Sequence, residues 1–198
     1  MNWFSFWLGS FETMGTGMDM DLNSIAFKSN FAFMDDSSSI VVKRRVDRTF
    51  PEWGVPLCEA LNSLKLADYP EYEVSCLHAT EHRCAVKVAG QDLSADITGT
   101  DPLKDNKALL KVEALHAKDA KASFTAGLVN ALSDGIRECL REHPINVERR
   151  EKGQTWSNVV LLRGAGQRLD VETFQQKHLM KPFMVAPTAV IAGKFGYL

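Results

Sequence analysis

Arginines and histidines at the ends of short apolar runs give this chain a chemistry of anion binding. The stretch NVVLLRGAG, Asn158 to Gly166, places Arg163 directly after Val159, Val160, Leu161 and Leu162. Such a run suits a strand buried on both faces. Gly164 and Gly166 around Ala165 predict a sharp turn after it, where backbone can approach a ligand without a Cβ in the way. In open α/β sheets, ligands collect at the carboxyl ends of strands, although a plain turn with a surface arginine fits the same residues. A second group, His78-Ala79-Thr80-Glu81-His82-Arg83, sets two imidazoles four apart beside an arginine. The flanking residues read as strands, so the helical stacking that HxxxH metal ligation needs is missing. Phosphate is better served, because arginine offers a bidentate fork and His or Thr adds donors. A hydrogen-bonded hairpin is the structural alternative.

Arg44, Arg45 and Arg48 concentrate positive charge in a third place, with a solvated strand end as the other reading. Asp101, held extended by Pro102, can orient a hydroxyl or an arginine, or simply form an Asx turn. Asn146 to Arg150 (NVERR) reads as a polar loop. No Ser-His-Asp order, P-loop or GxGxxG accompanies these groups. The residues therefore offer anion binding without a nucleophile.

Periodicity supplies the scaffold for these groups. Ile25 to Phe33 and Ile40 to Val42 read as strands joined by the turn DDSSS, a hairpin. Gly15 to Gly17 marks a loop before them. Val55 to Leu64 predicts a short helix with Leu57, Leu61 and Leu64 on one face. Tyr72 to Val88 predicts two strands, EVSCLHA and CAVKV, joined around Thr80 to His82. A long amphipathic helix is expected from an N-cap at Asp119 to Glu142, with Phe124, Leu128, Leu132, Ile136 and Leu140 recurring every four residues, and Pro144 stopping it. Strands and helices in this order make an α/β or α+β unit rather than a bundle. The last segment has an apolar run at Phe183 to Ala186 and ends on Gly196-Tyr197-Leu198, which predicts a chain cut in mid-domain.

The 198 residues suffice for one domain or one domain and a fragment. A net charge of -2 makes no case for nucleic acid or an anionic membrane as partner, so any anion site must be a local cluster. Cys58, Cys76, Cys84 and Cys139 show no CxxC pairing, and reduced thiols in the cytoplasm are the default. No apolar run is long enough to span a membrane. The opening MNWFSFWLGS differs in composition from the rest of the chain and is expected to lie outside the fold.

Six motifs in order carry a family resemblance: AFKSNFAF (Ala26 to Phe33), VVKRRVDR (Val41 to Arg48), HATEHR (His78 to Arg83), TDP (Thr100 to Pro102), HPINVERREKG (His143 to Gly153) and NVVLLRGAG. Together they resemble the archaeal-type, 2,3-bisphosphoglycerate-independent phosphoglycerate mutases of the alkaline-phosphatase-like metalloenzyme superfamily. The resemblance covers about Phe11 through Tyr197.

That resemblance implies a doubly wound α/β metal domain interrupted by an inserted α+β substrate-binding domain. Here the inserted domain would span 35–148, flanked by metal-domain pieces at 11–34 and 149–198. It implies interconversion of 3- and 2-phosphoglycerate, a glycolytic and gluconeogenic reaction, through a phosphoserine at two divalent metals, manganese, magnesium or zinc. It also implies a small-molecule partner, phosphoglycerate, with Arg44, Arg45, Arg48, His78, His82, Arg83, Asp101 and Arg163 as substrate-binding residues. The arginines would hold phosphate and carboxylate, and His82 and Asp101 would steer hydroxyls. Leu103 stands where the family commonly has the histidine of TDPH. The family's nucleophilic serine and metal ligands fall outside the matched residues, so no metal is expected to bind this chain specifically and an incomplete, inactive piece is the expectation. Two other classes stay open: a non-catalytic module that captures a small phosphorylated acid, and an interaction protein using Trp3, Phe4, Phe6 and Trp7.

Overall fold

The computed structural model describes residues 8–47, 51–168, 172, 174–180, 189 and 191. Its elements run α1 (Leu8–Gly15), β1 (Ser24–Asp35), β2 (Ile40–Lys43), α2 (Pro51–Asn62), β3 (Glu73–His78), β4 (Arg83–Ala89), β5 (Lys107–Ala108), α3 (Ala120–Glu142), α4 (Pro144–Glu151), β6 (Val159–Gln167) and α5 (Phe174–His178). The strands order as β3-β4-β1-β2-β5, with β6 also on β1, and every pairing is antiparallel. Helices on an antiparallel sheet make the architecture α/β. No helix among the described residues is long and apolar enough to cross a membrane.

β1 is buried almost throughout because both of its faces are covered. Ile25, Phe27 and Phe31 join Val86, Val88, Val160 and Leu162 under Leu57 and Leu61 of α2 and Leu128, Leu132, Ile136 and Leu140 of α3. Alternation sends Ala26, Lys28, Asn30, Ala32 and Met34 to the opposite face. There α1 packs against β1 and β6 at one end. A smaller apolar cluster of Ala32, Met34, Val41, Val159 and Leu161 fills the other. Lys28 and Asn30 fall between the two.

Both predicted hairpins form, β1 with β2 and β3 with β4. Asp119 caps α3 by accepting from Ala122 N–H at 2.9 Å. Phe124 departs from the buried stripe: it is 40% exposed, its ring packed edge-on against Tyr69 and tilted on Tyr72.

Three expectations are corrected. NVERR is helical, within α4, because Pro144 ends α3 and then starts α4 in its first turn, where a missing N–H costs nothing. Buried Asn146 fixes that helix by donating to Leu140 O and Ser157 O, each at 2.7 Å. Second, β6 does not stop at Arg163: it runs through to Gln167, and its neighbour β1 is antiparallel, so Arg163 is not at the carboxyl end of a parallel strand. The register slips around Phe27, and Gly164, at φ 60°, absorbs the extra residue as a bulge rather than a turn. Third, Leu8 to Ser10 belong to α1, with Gly9 and Ser10 buried. A Cβ on Gly9 would stand 1.9 Å from Ala26 O, so only glycine lets α1 lie this close to the sheet. Trp3, Phe4, Phe6, Trp7 and the run Phe183 to Ala186 lie outside the described residues.

Candidate anion-binding site

The face between α1 and the small cluster is cationic. β-Register sets Lys28 of β1 directly opposite Arg163 of β6, and Asn30 opposite Arg83 of β4. Paired residues point to the same side, so these four side chains share one face. Like charges placed opposite each other repel, and an anion between them would remove that cost. His82 joins them at the start of β4, where its carbonyl accepts from Phe31 N–H at 2.8 Å.

The residues 99–101 hold a counter-charge against this face. Thr100 N–H donates to Leu162 O at 2.8 Å, and Thr100 Oγ1 accepts from Leu162 N–H at 2.9 Å. Gly99 permits the approach, since a Cβ there would meet Leu162 O at 2.4 Å. Asp101 is thereby delivered to the residue after Leu162: its Oδ2 lies 3.7 Å from Arg163 Nε. Arg44, at the end of β2, donates through Nε to Asp101 Oδ1 at 2.7 Å and through Nη2 to Oδ2 at 2.5 Å. Leu103 N–H and Asp105 complete the corner, the first donating to Asp101 Oδ1 and the second accepting from Arg44 N–H, both at 2.8 Å. Lys43, Arg44, Arg45 and Lys104 line a surface pocket of about 360 Å³ beside it.

Titration follows this charge distribution. Burial raises the Asp101 carboxyl, but the Arg44 and Leu103 hydrogen bonds and the charges of Arg44 and Arg163 outweigh it and hold Asp101 below the usual carboxylate range. Burial lowers Lys28; Glu12, 3.6 Å away, opposes the shift, while Arg163 and Arg83 add to it. His82 is lowered to about 4, first by burial and then by Arg83, Arg45 and Arg163. It is therefore neutral near pH 7.

Several polar atoms on this face are buried without a hydrogen-bond partner: both amide atoms of Asn30, His82 Nδ1 and Arg163 Nε. Buried polar groups are nearly always satisfied, so this concentration calls for partners such as water, an ion or a ligand's polar atoms.

The structure thus gathers Arg44, Arg45, His82, Arg83, Asp101 and Arg163. His78 has a local task, its Nε2 meeting Glu81 O at 2.7 Å inside the β3–β4 turn. Arg83 also reaches Glu81 Oε2 at 3.1 Å. Arg48 lies outside the described residues. Sequence reasoning missed Lys28 and Asn30, although two polar residues spaced by two within the apolar run IAFKSNFAF already place them together on one face.

The family model described as 2,3-bisphosphoglycerate-independent phosphoglycerate mutase matches residues 8–146. The chain belongs to this mutase family. A mutase of Methanocorpusculum labreanum is 35% identical over 187 residues, 93% of this chain and 45% of the relative. Mutase 1 of Archaeoglobus fulgidus is 36% identical over the same shares. Among solved structures, the cofactor-independent phosphoglycerate mutase of Thermoplasma acidophilum superposes with a TM-score of 0.77 at 30% identity, covering 97% of this chain and 50% of that one. The chain spans under half the length of these two curated mutases.

The cluster does not fit a divalent metal. Among the described residues no group of three or more His, Cys, Asp or Glu could hold a metal ion. Asp101 is engaged by Arg44 and Glu12 by Lys28, and the surrounding cations oppose further positive charge.

Proposed function

We propose that this chain supplies the phosphoglycerate-binding part of a 2,3-bisphosphoglycerate-independent phosphoglycerate mutase, a cytoplasmic enzyme of glycolysis and gluconeogenesis. One observation carries this reading: Lys28 faces Arg163 across the β1–β6 pair, beside an Asn30 whose buried amide lacks partners. 3-Phosphoglycerate presents what that arrangement lacks, a phosphate and a carboxylate for Lys28, Arg83 and Arg163, and a hydroxyl for Asn30. Arg45 adds charge near His82, and Arg48 is assigned to the substrate by the family resemblance alone. Neutral His82 is a hydrogen-bonding group toward the hydroxyl rather than a further cation.

Asp101 acts as a positioning residue. With Arg44 on both of its oxygens, it holds the neighbouring Arg163 in place and leaves that guanidinium free to turn most of its donors to the substrate. Phosphoryl transfer through phosphoserine and two metals belongs to residues outside this cluster. The parts named by the resemblance, 35–148 and its flanks, cooperate through β1 and β6, which carry Lys28, Asn30 and Arg163.

Calorimetric titration of 3-phosphoglycerate into the 198-residue chain tests the reading. Saturable binding is expected, weakened about 10- to 100-fold by Arg163→Met or Arg83→Met, the loss of a charge-assisted hydrogen bond. Unchanged affinity in both variants, or no binding by the folded chain, would overturn it.

A further inference from the structure

Three thiols meet on the core side of the sheet, away from the anion-binding face. Cys58 comes from α2, Cys76 from β3 and Cys84 from β4. All three are unpaired and buried, at 3%, 2% and 0% exposure. Cys76 Sγ donates to Cys58 Sγ at 3.2 Å, and Cys84 also hydrogen-bonds to Cys58. A disulfide needs the first pair to close by only about 1 Å.

We propose that Cys58 and Cys76 are a redox-convertible pair: a peroxide oxidises Cys58, and Cys76 then closes a disulfide that staples α2 to the edge strand β3. The inference is independent of the phosphoglycerate reading. The two S–H donors on Cys58 favour its thiolate, holding this thiol below its ordinary range. In the first step the Cys58 thiolate attacks one oxygen of hydrogen peroxide. The O–O bond breaks, giving Cys58 sulfenic acid and hydroxide. In the second, Cys76 sulfur attacks the sulfenic sulfur. The S–S bond forms, the S–O bond breaks, and the leaving oxygen departs as water with the Cys76 proton and one from solvent or from the sulfenic acid itself. Two thiols lose two electrons and the peroxide gains them.

Access is built into α2. Pro56 lies inside that helix, two residues before Cys58, and has no N–H to give the carbonyl of Glu52. Opening around Cys58 therefore breaks one helical hydrogen bond fewer than usual. From outside, a surface pocket of about 490 Å³ lined by Asn62, Lys65, Ser75 and Cys76 lies against β3.

Peptide mapping decides the proposal, because trypsin leaves Cys58, Cys76, Cys84 and Cys139 on four peptides, 49–65, 66–83, 84–87 and 138–141. The folded chain is treated with hydrogen peroxide, its remaining thiols are blocked with N-ethylmaleimide, and the digest is weighed without reductant. Peptides 49–65 and 66–83 are expected joined, lighter than their sum by two hydrogens and separated by dithiothreitol. Peptide 138–141 should carry the blocking group. The oxidised chain should also melt about 5–10 °C higher, as expected for closing a loop of this size. Cys58→Ala and Cys76→Ala, each verified as folded by circular dichroism, should abolish the joined species, while Cys139→Ala should not. Recovery of 49–65 and 66–83 unlinked, or a dominant link through Cys139, would overturn the proposal.

Discussion

Asp101 is the residue on which the cationic face turns. It is the buried counter-charge to Arg44 and the near neighbour of Arg163. Asp101→Asn removes the negative charge and leaves Arg44 buried beside other cations. A loss of about 3–5 kcal/mol in urea unfolding is expected, as for breaking a buried ion pair from one side. His82 gives a pH dependence of known sign. Its folded pKa, about 4, lies below the unfolded value near 6.5, so between those values the unfolded chain binds more protons. This part of stability is complete above about pH 6.5, falls as pH drops toward 4, and changes no further below that. Urea midpoints measured across that window should fall on acidification by about 1–3 kcal/mol, and His82→Gln should flatten this limb.

At the scale of elements, close approach decides where charges stand. Gly9→Ala pushes a Cβ into Ala26 O and must lift α1, which carries Glu12 to Lys28. A cost of about 1–3 kcal/mol is expected, read as a lower thermal midpoint. Asp119→Ala should cost about 1 kcal/mol through the lost cap of α3.

Periodicity made α3 and both hairpins legible, because alternation and four-residue spacing are local properties. The path of β6 was not legible. Gly164 looks the same in a turn as in a bulge, and only the pairing of β6 with β1 separates the two. α1 was hidden for a similar reason, since Gly9 and Gly15 weaken a helix whose burial against the sheet sustains it. For the site, Arg44, Arg163 and Asp101 could be nominated by type. Their mutual engagement needed the Gly99-Thr100 clamp, a contact across 62 residues.

In the whole molecule, one sheet unites strands from the segments 11–34, 35–148 and 149–198. β1 pairs with β4 from Ser24↔Ala89 to Asn30↔Arg83 and with β6 from Ile25↔Gln167 to Ala32↔Val159. Hydrogen exchange should therefore protect β1, β4 and β6 as one cooperative unit, and early exchange of β1 or β6 would contradict this packing. The proposed substrate binding rests on this unit, since its three central strands bring the cations, the amide and the imidazole to one face. The sharpest test is a histidine NMR titration of His82 with and without saturating 3-phosphoglycerate. A pKa near 4 is expected in the free chain and a rise of at least one unit in the complex, because bound negative charge favours the imidazolium. A His82 titration unmoved by 3-phosphoglycerate would contradict it.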